Sequence, residues 1–309
     1  MRIALLAVLM TASPPALSAQ PASAKLLISG EGMDIDIAFA RDGRRMAYAS
    51  SRTGSLELWL RSLDGGPLYQ LTTSTSASAD RFPTFTPDGK SIIFQSDRAG
   101  GVRNVWSLDL ASRGLTQLTT VTEGGASHPA VSADGNSICY TRTSRSGSLS
   151  IWVIGIDRRN AREMGEGMDC AWTPDGSIVF SRSSNAASGS SYQIWAMDGT
   201  GQNLRQISPA QHSWTRSPAV SPDGQWISYS VYEKPLGSDI QEVQGGFQVV
   251  PGLRADIWVA GFGTSSAPPR QLTSAAFNSF SAWLPDGRSV AFTSTRSGSA
   301  DIWSVATDR

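Results

Sequence analysis

Short apolar runs alternate with polar segments along this chain, and the pattern predicts β-strands. The stretch 81–119 shows it well, since it holds four short apolar or β-branched runs with polar segments between them. Ser91–Ser96 is rich in the β-branched and aromatic residues that strands favour. The other three runs are 84–86, 105–108 and 115–119. The stretch therefore predicts four strands joined by three turns.

The first turn of this stretch carries the sequence Pro87-Asp88-Gly89. Proline presets φ for a type I turn, aspartate hydrogen-bonds back to the backbone, and glycine takes the left-handed position that closes a hairpin. The turn chemistry therefore agrees with the strand pattern on both sides of it.

The same unit recurs six times. Its Asp-Gly pairs begin at Asp42, Asp88, Asp134, Asp175, Asp223 and Asp286, with gaps of 46, 46, 41, 48 and 63 residues. A tryptophan in the third strand follows each pair, at Trp59, Trp106, Trp152, Trp195, Trp258 and Trp303. A period in the forties with four strands per unit is typical of β-propeller blades. We therefore predict an all-β fold, a six-bladed β-propeller with four antiparallel strands per blade, rather than an irregular all-β domain.

The two ends of the repeat array complement each other. Lys25–Ser29 resembles the fourth strand of a repeat, whereas the sixth copy stops at its third strand, Ala300–Val305. We expect the first segment to pair beside the last one and close the ring, so that no sheet edge is left bare.

The predicted organisation is a signal peptide at 1–24 followed by a single propeller domain at 25–309. Arg2, the apolar run 3–10 and the small residues 22–24 fit a secretory signal, and the run is far shorter than the ~18–20 residues that span a bilayer. The predicted blades are 37–72, 83–119, 129–164, 170–208, 218–273 and 281–305 with the N-terminal strand.

The turns carry a family resemblance. Thr86-Pro87-Asp88-Gly89, three further Pro-Asp-Gly turns, Ser96-Asp97-Arg98 and the closing Gln-Leu-Thr resemble the WD40-like Pro-Asp-Gly repeat. That repeat builds the six-bladed propeller of the TolB-like family, and also the propellers of prolyl-oligopeptidase-type peptidases. The resemblance implies a stand-alone, periplasmic TolB-like propeller, without the α/β domain that precedes the propeller in TolB. It implies a module that binds a protein or peptide associated with the cell envelope.

The charge and residue composition of the chain limits the classes of partner and of chemistry that it suits. Without residues 1–24 the chain has 25 basic and 26 acidic residues, and this balance argues against nucleic acid as the main partner. We expect a monomer without a membrane span. The only histidines are His128 and His212, and the sequence contains no zinc motif and no Gly-x-Ser-x-Gly elbow. These features favour a binding protein over an enzyme.

The two cysteines, Cys139 and Cys170, fall in neighbouring predicted blades. Export permits a disulfide, but both lie in strands among apolar neighbours. We expect buried free thiols, with the disulfide as the alternative.

The candidate site is the mouth of the axial channel. The residues just before each first strand are expected to ring it: Asp34, Asp36, Asp80, Arg81, His128, Asp169, Arg216, Asn278 and Phe280. Nearby loops add Arg52, Arg98, Arg142, Arg145, Arg182 and Arg296. This mixed charge suits a polar peptide or a protein loop held by charge-assisted hydrogen bonds. An insertion in blade 5, Lys234–Arg254, is expected on the same face and can form a small hairpin or a cap.

A second class remains open, a carbohydrate- or lactone-active propeller enzyme that uses funnel carboxylates and a bound metal. No cofactor is required by the sequence. Calcium is the ion considered, because it takes six to eight oxygen ligands and Asp34, Asp36, Asp80 and Asp169 supply carboxylates.

Overall fold

Every regular element in the described part of the protein is a β-strand. The computed structural model describes residues 23–74, 78–186, 189–212, 214–233, 240–243, 246–249 and 252–308. These residues form 26 strands and no helix, so none of them forms a helix that could cross a membrane. The predicted signal peptide lies outside the described residues, apart from its last two positions.

Six four-stranded antiparallel sheets follow one another along the chain as the six predicted blades. Blade 1 consists of β2 (Asp34–Phe39), β3 (Arg45–Ser50), β4 (Glu57–Ser62) and β5 (Tyr69–Gln70). Blade 2 consists of β6 (Asp80–Phe85), β7 (Ser91–Ser96), β8 (Asn104–Asp109) and β9 (Leu115–Gln117). Blade 3 consists of β10 (Gly125–Val131), β11 (Ser137–Thr143), β12 (Leu149–Gly155) and β13 (Arg162–Glu166). Blade 4 consists of β14 (Met168–Trp172), β15 (Ile178–Ala186), β16 (Gly189–Met197) and β17 (Arg205–Gln206). Blade 5 consists of β18 (Thr215–Val220), β19 (Trp226–Tyr232), β22 (Ala255–Gly261) and β23 (Arg270–Gln271). The predicted six-bladed propeller is confirmed.

Blade 6 combines both ends of the array. It consists of β24 (Asn278–Trp283), β25 (Ser289–Ser294), β26 (Asp301–Ala306) and, as its outer strand, β1 (Lys25–Ile28). β1 runs antiparallel to β26, with Lys25 opposite Ser304 and Ile28 opposite Ile302. Ile28 is 2% exposed and packs in a cluster shared by blades 6 and 1. The predicted closure is confirmed.

The Pro-Asp-Gly turns adopt the expected geometry. In the second repeat, Asp88 Oδ1 accepts a hydrogen bond from the Lys90 amide at 3.1 Å, and Gly89 has φ 66°. The Thr86 hydroxyl donates to the same carboxylate oxygen at 2.7 Å. This turn holds the inner strand of a blade against the second strand, so it places the ends of all inner strands on one face of the disc.

Each inner strand contains a β-bulge. In β6 the pairing with β7 is Arg81 to Gln95 and then Thr84 to Ile93, so two residues lie between the paired positions on one strand and one on the other. The same shift occurs in the other five blades. The expectation that the candidate site residues precede the first strands is therefore wrong. A bulge lets each strand continue for about three residues before its predicted start, and these residues lie within it.

The two cysteines are joined by a disulfide, so the expectation of free thiols is wrong. Cys139 lies in β11 of blade 3 and Cys170 in β14 of blade 4, with Cα atoms 6.3 Å apart. Because β14 packs against β11, the two Cα atoms come within the ~7 Å that a bridge requires. The bond therefore links the two neighbouring blades covalently.

Loss of this bond is expected to destabilise the propeller. The cysteines are 31 residues apart, and a loop of that length predicts a loss of about 3–4 kcal/mol in the free energy of unfolding. Urea denaturation of the Cys139→Ser/Cys170→Ser variant, beside wild type with and without reductant, measures it. A midpoint equal to that of oxidised wild type contradicts this prediction.

The insertion of blade 5 contains a separate two-stranded hairpin, β20 (Ile240–Val243) with β21 (Gly246–Val249). The predicted hairpin is thus present between β19 and β22. Residues 234–239, 244–245 and 250–251 lie outside the described residues, and the cap over the channel stays a prediction.

Candidate binding site at the channel mouth

One residue of each bulge has a left-handed backbone although none of the six is glycine. These residues, which we term the bulge ring, are Asp36, Phe82, His128, Asp169, Ser217 and Phe280. Their φ values lie between 50° and 56°, a region that few non-glycine residues adopt and that costs free energy. The fold therefore holds one side chain from each blade in a fixed place around the axis.

Aromatic rings fill one part of the bulge ring. The ring centroids of Phe82 and His128 are 3.8 Å apart, and those of Phe82 and Phe280 are 5.6 Å apart with an edge-on orientation. Phe82 belongs to blade 2, His128 to blade 3 and Phe280 to blade 6. The Phe82 ring therefore contacts the neighbouring blade 3 and also reaches past blade 1 to blade 6. All three are half-buried. They present an aromatic surface at the channel mouth.

Two ion pairs fill the remainder. Arg81 of blade 2 donates from Nε and Nη2 to the Asp36 carboxylate of blade 1 at 2.8 and 3.3 Å. Arg216 of blade 5 donates in the same way to Asp169 of blade 4 at 3.1 and 3.4 Å. The pairs lie on opposite sides of the six-bladed ring. The first is buried on both sides, whereas the Arg216 side chain is 25% exposed.

The charges at the mouth are balanced among themselves. Burial alone raises the pKa of the Asp169 carboxyl, but the Arg216 guanidinium and His128 outweigh burial and hold that pKa below its usual value. Burial lowers the pKa of His128; Asp169 opposes the shift, and Arg216 and Arg81 add to it. His128 Nε2 lies 3.6 Å from Asp169 Oδ1, too far for a good hydrogen bond. Burial thus favours the neutral form of His128.

Three predicted site residues instead hold arginines of their own blades. Arg52 donates to Asp34 at 2.9 Å, and Arg296 donates to the Asn278 amide oxygen at 2.9 Å. Arg98 makes the equivalent ion pair with Asp80. Asp34, Asp80 and Asn278 are completely buried. They act in packing within a blade, and the structure does not place them at the mouth.

Three arginines of the nearby loops also stack on tryptophan rings. The guanidinium carbons of Arg52, Arg98 and Arg296 lie 4.9, 5.6 and 5.0 Å from the centroids of third-strand tryptophan rings of their own blades. Such stacking is a cation–π contact. These three arginines and the tryptophans therefore stabilise blades, rather than line the mouth.

A pocket of about 290 Å³ lies at the bulge ring. Of the predicted site residues it is lined by Asp36, His128, Asp169 and Phe280, and the sequence reasoning missed its other two ring members, Phe82 and Ser217. Both occupy the same repeat position as the four that were found. Superposing the six repeats on their Asp-Gly pairs and allowing for the bulge would have identified them.

The carboxylates proposed for calcium do not converge. Asp34 and Asp80 are paired with arginines within their blades, and Asp36 and Asp169 with arginines of the next blade. Within the described ranges, no three His, Cys, Asp or Glu side chains are grouped so as to hold a metal ion. The donor set expected for a metal-dependent enzyme is therefore not assembled by these four residues.

Known proteins share parts of this chain. It is 26% identical over 203 residues to the uncharacterized peptidase YuxL of Bacillus subtilis. This alignment covers 63% of this chain and 29% of that protein. It is 30% identical over 118 residues to the Tol-Pal system protein TolB of Francisella tularensis, 37% of this chain and 26% of that protein. The chain thus spans less than a third of the length of these curated relatives.

The fold and the sequence family agree. The crystal structure of TolB from Acinetobacter baumannii superposes with a TM-score of 0.67 at 21% identity, covering 86% of this chain and 61% of that one. The TolB beta propeller domain family matches residues 18–188, more than half of the sequence. This chain therefore belongs to the TolB beta propeller domain family.

Proposed function

We propose that this protein is an exported TolB-like propeller that binds an extended segment of a partner protein at the bulge ring. The observation that carries the proposal is the half-buried aromatic surface of Phe82, His128 and Phe280, gathered around an axial pocket. Exposed groups on a rigid scaffold are a usual place for binding. Strained backbone positions also cluster at functional sites.

The chemistry of the mouth indicates what the partner supplies. Since Asp36, Asp169 and Arg81 are buried and paired, the mouth offers aromatic rings and few unneutralised charges. Arg216, Ser217 and His128 are polar residues of the mouth with partial exposure. A segment with an apolar or aromatic side chain fits the rings, and its backbone carbonyls or an acidic group can accept from Arg216.

An extracytoplasmic location fits the proposal. Residues 1–24 have the pattern of a secretory signal, and the disulfide of blades 3 and 4 suits an oxidising compartment. One relative is named for the Tol-Pal system. These features support a periplasmic partner associated with the cell envelope.

Recovery of partners from an envelope extract of the source organism tests the proposal. We expect the immobilised Phe82→Ala variant to recover at least tenfold less of the partner than wild type, because a central aromatic anchor commonly contributes about 2 kcal/mol or more to binding. Leu115→Ala is the matched control, since Leu115 is an exposed apolar residue on the outer strand of the same blade.

Thermal melting shows whether each variant remains folded. Equal recovery of the same proteins by a folded Phe82→Ala variant and by wild type would remove the bulge ring from the proposed binding site.

A further inference from the structure

The opposite end of the axial channel holds a second, larger chamber. It has a volume of about 530 Å³ and lies on the face where the Pro-Asp-Gly turns end the inner strands. We term it the turn-face chamber. Its walls combine the apolar side chains of Phe39, Val131, Trp172, Val220 and Trp283 with polar ones such as Thr84, Thr173 and Ser221. This volume lies within the range of small-molecule sites, which are mostly apolar with a few placed polar groups.

Two repeats depart from the proline of the turn motif, and their substitutes meet at this chamber. The position before Asp-Gly is Arg41 in blade 1 and Ala133 in blade 3, whereas the other four blades have proline. Both residues line the chamber. Arg41 Nη1 donates to the Ala133 carbonyl oxygen at 3.1 Å. The arginine therefore reaches from blade 1 past blade 2 to blade 3 along the rim.

Arg41 gives the chamber its only charge. No aspartate or glutamate is among the described residues that line it, and no other lysine or arginine is. In the described part of the chain Arg41 has no acidic partner, and a neutral carbonyl accepts its hydrogen bond. Arg41 is exposed at the edge of the chamber. A guanidinium in this place is complementary to an anion, above all to a carboxylate, which it binds through two parallel hydrogen bonds.

Both tryptophans present ring surface to the chamber, and neither presents an accessible indole N–H. Trp283 Nε1 already donates to the Ala219 carbonyl oxygen at 3.2 Å, which fixes its indole ring. Trp172 Nε1 is buried and has no acceptor among the described residues. Because this nitrogen is buried, Trp172 contributes ring surface to the wall and no accessible hydrogen-bond donor.

We propose that the turn-face chamber binds a small apolar carboxylate, with its hydrocarbon body against Trp172, Trp283 and Val220 and its carboxylate on Arg41. The chamber shares Val131, Trp172 and Val220 with the pocket at the bulge ring, but it extends to the other end of the channel and contains a different charged group, Arg41.

Isothermal titration with 1-naphthylacetate tests the assignment, with the neutral 1-naphthylacetamide as matched ligand. We expect saturable 1:1 binding of the carboxylate by wild type. Arg41→Gln and the neutral amide are each expected to bind about tenfold to a hundredfold more weakly, as the loss of one charge-assisted pair predicts. Arg44→Gln is the matched control, because Arg44 is an exposed arginine of the same turn that does not line the chamber.

The proposal is overturned if wild type shows no saturable binding, or if folded Arg41→Gln binds the carboxylate as tightly as wild type. Equal affinity for acid and amide also overturns it. These results leave the partner recovery through Phe82 unaffected, so the two proposals fail separately.

Discussion

A chain that begins at Gly30 is expected to lose about 5 kcal/mol of unfolding free energy relative to one that begins at Ser23, a third or more of the 5–15 kcal/mol typical of a domain. Removal of β1 exposes the apolar surface that Ile28 covers, worth about 1.5–3 kcal/mol, and breaks several ladder hydrogen bonds of about 0.5–1.5 kcal/mol each. Because β1 completes blade 6, the whole propeller should melt at a lower temperature in one transition.

Two substitutions within β1 separate this closure from a general effect of the terminus. Ile28 is buried, whereas Leu26 on the same strand is 49% exposed. Ile28→Ala should cost about 2–5 kcal/mol, and Leu26→Ala well under 1 kcal/mol. Calorimetry measures both. If the shortened chain melted like the longer one, the role of β1 as the closing strand would be wrong.

Replacement of Arg81 by methionine is expected to cost about 3–5 kcal/mol, because it leaves the buried Asp36 carboxylate without its partner. Both side chains are almost fully buried, at 6% and 0% exposure. The double variant Asp36→Leu/Arg81→Met should recover much of that loss, since neither charge then remains buried. Urea denaturation of the four proteins of this cycle gives the coupling free energy.

An exposed pair serves as the control for this cycle. Arg145 and Glu123 are 85% and 55% exposed and 3.5 Å apart, so Arg145→Met should change the unfolding free energy by less than about 1 kcal/mol. Equal losses for Arg81→Met and Arg145→Met would contradict the structural role of the buried pair.

The fold could be predicted from the sequence because each repeat carries the same local chemistry in the same register. Asp88 and Gly89 specify a turn by hydrogen bonding and by a positive φ, and five other turns repeat the arrangement. A missing fourth strand at one end and an extra strand at the other then left only one way to pair both edges. These features depend on neighbours in the sequence, which a single chain displays.

The site was only partly predictable, because it depends on backbone detail between the repeats. Asp34, Arg81 and His128 were grouped as one ring, yet they occupy three successive kinds of repeat position. Asp34 lies at the first kind of position and is buried within its blade. Arg81 and Arg216, at the second kind, pair with the preceding blade. Only residues at the third kind form the bulge ring. A strand of regular geometry, which the sequence pattern assumes, contains no such bulge.

The disulfide was missed for a related reason. Cys139 and Cys170 both lie among apolar residues, a pattern that free buried thiols share. Only the packing of an inner strand against the second strand of the preceding blade brings the two Cα atoms to 6.3 Å. That distance is a property of blade packing, and sequence spacing does not report it.

Site-specific photocross-linking in envelope extract tests the bulge ring as the binding site most directly. p-Benzoylphenylalanine is placed at Ser217, a half-buried ring position, and in a second protein at Leu115 on the outer edge of blade 2. The account predicts a discrete light-dependent adduct from position 217 and none from position 115. The same adduct from position 115, or none from a folded protein labelled at 217, would contradict it.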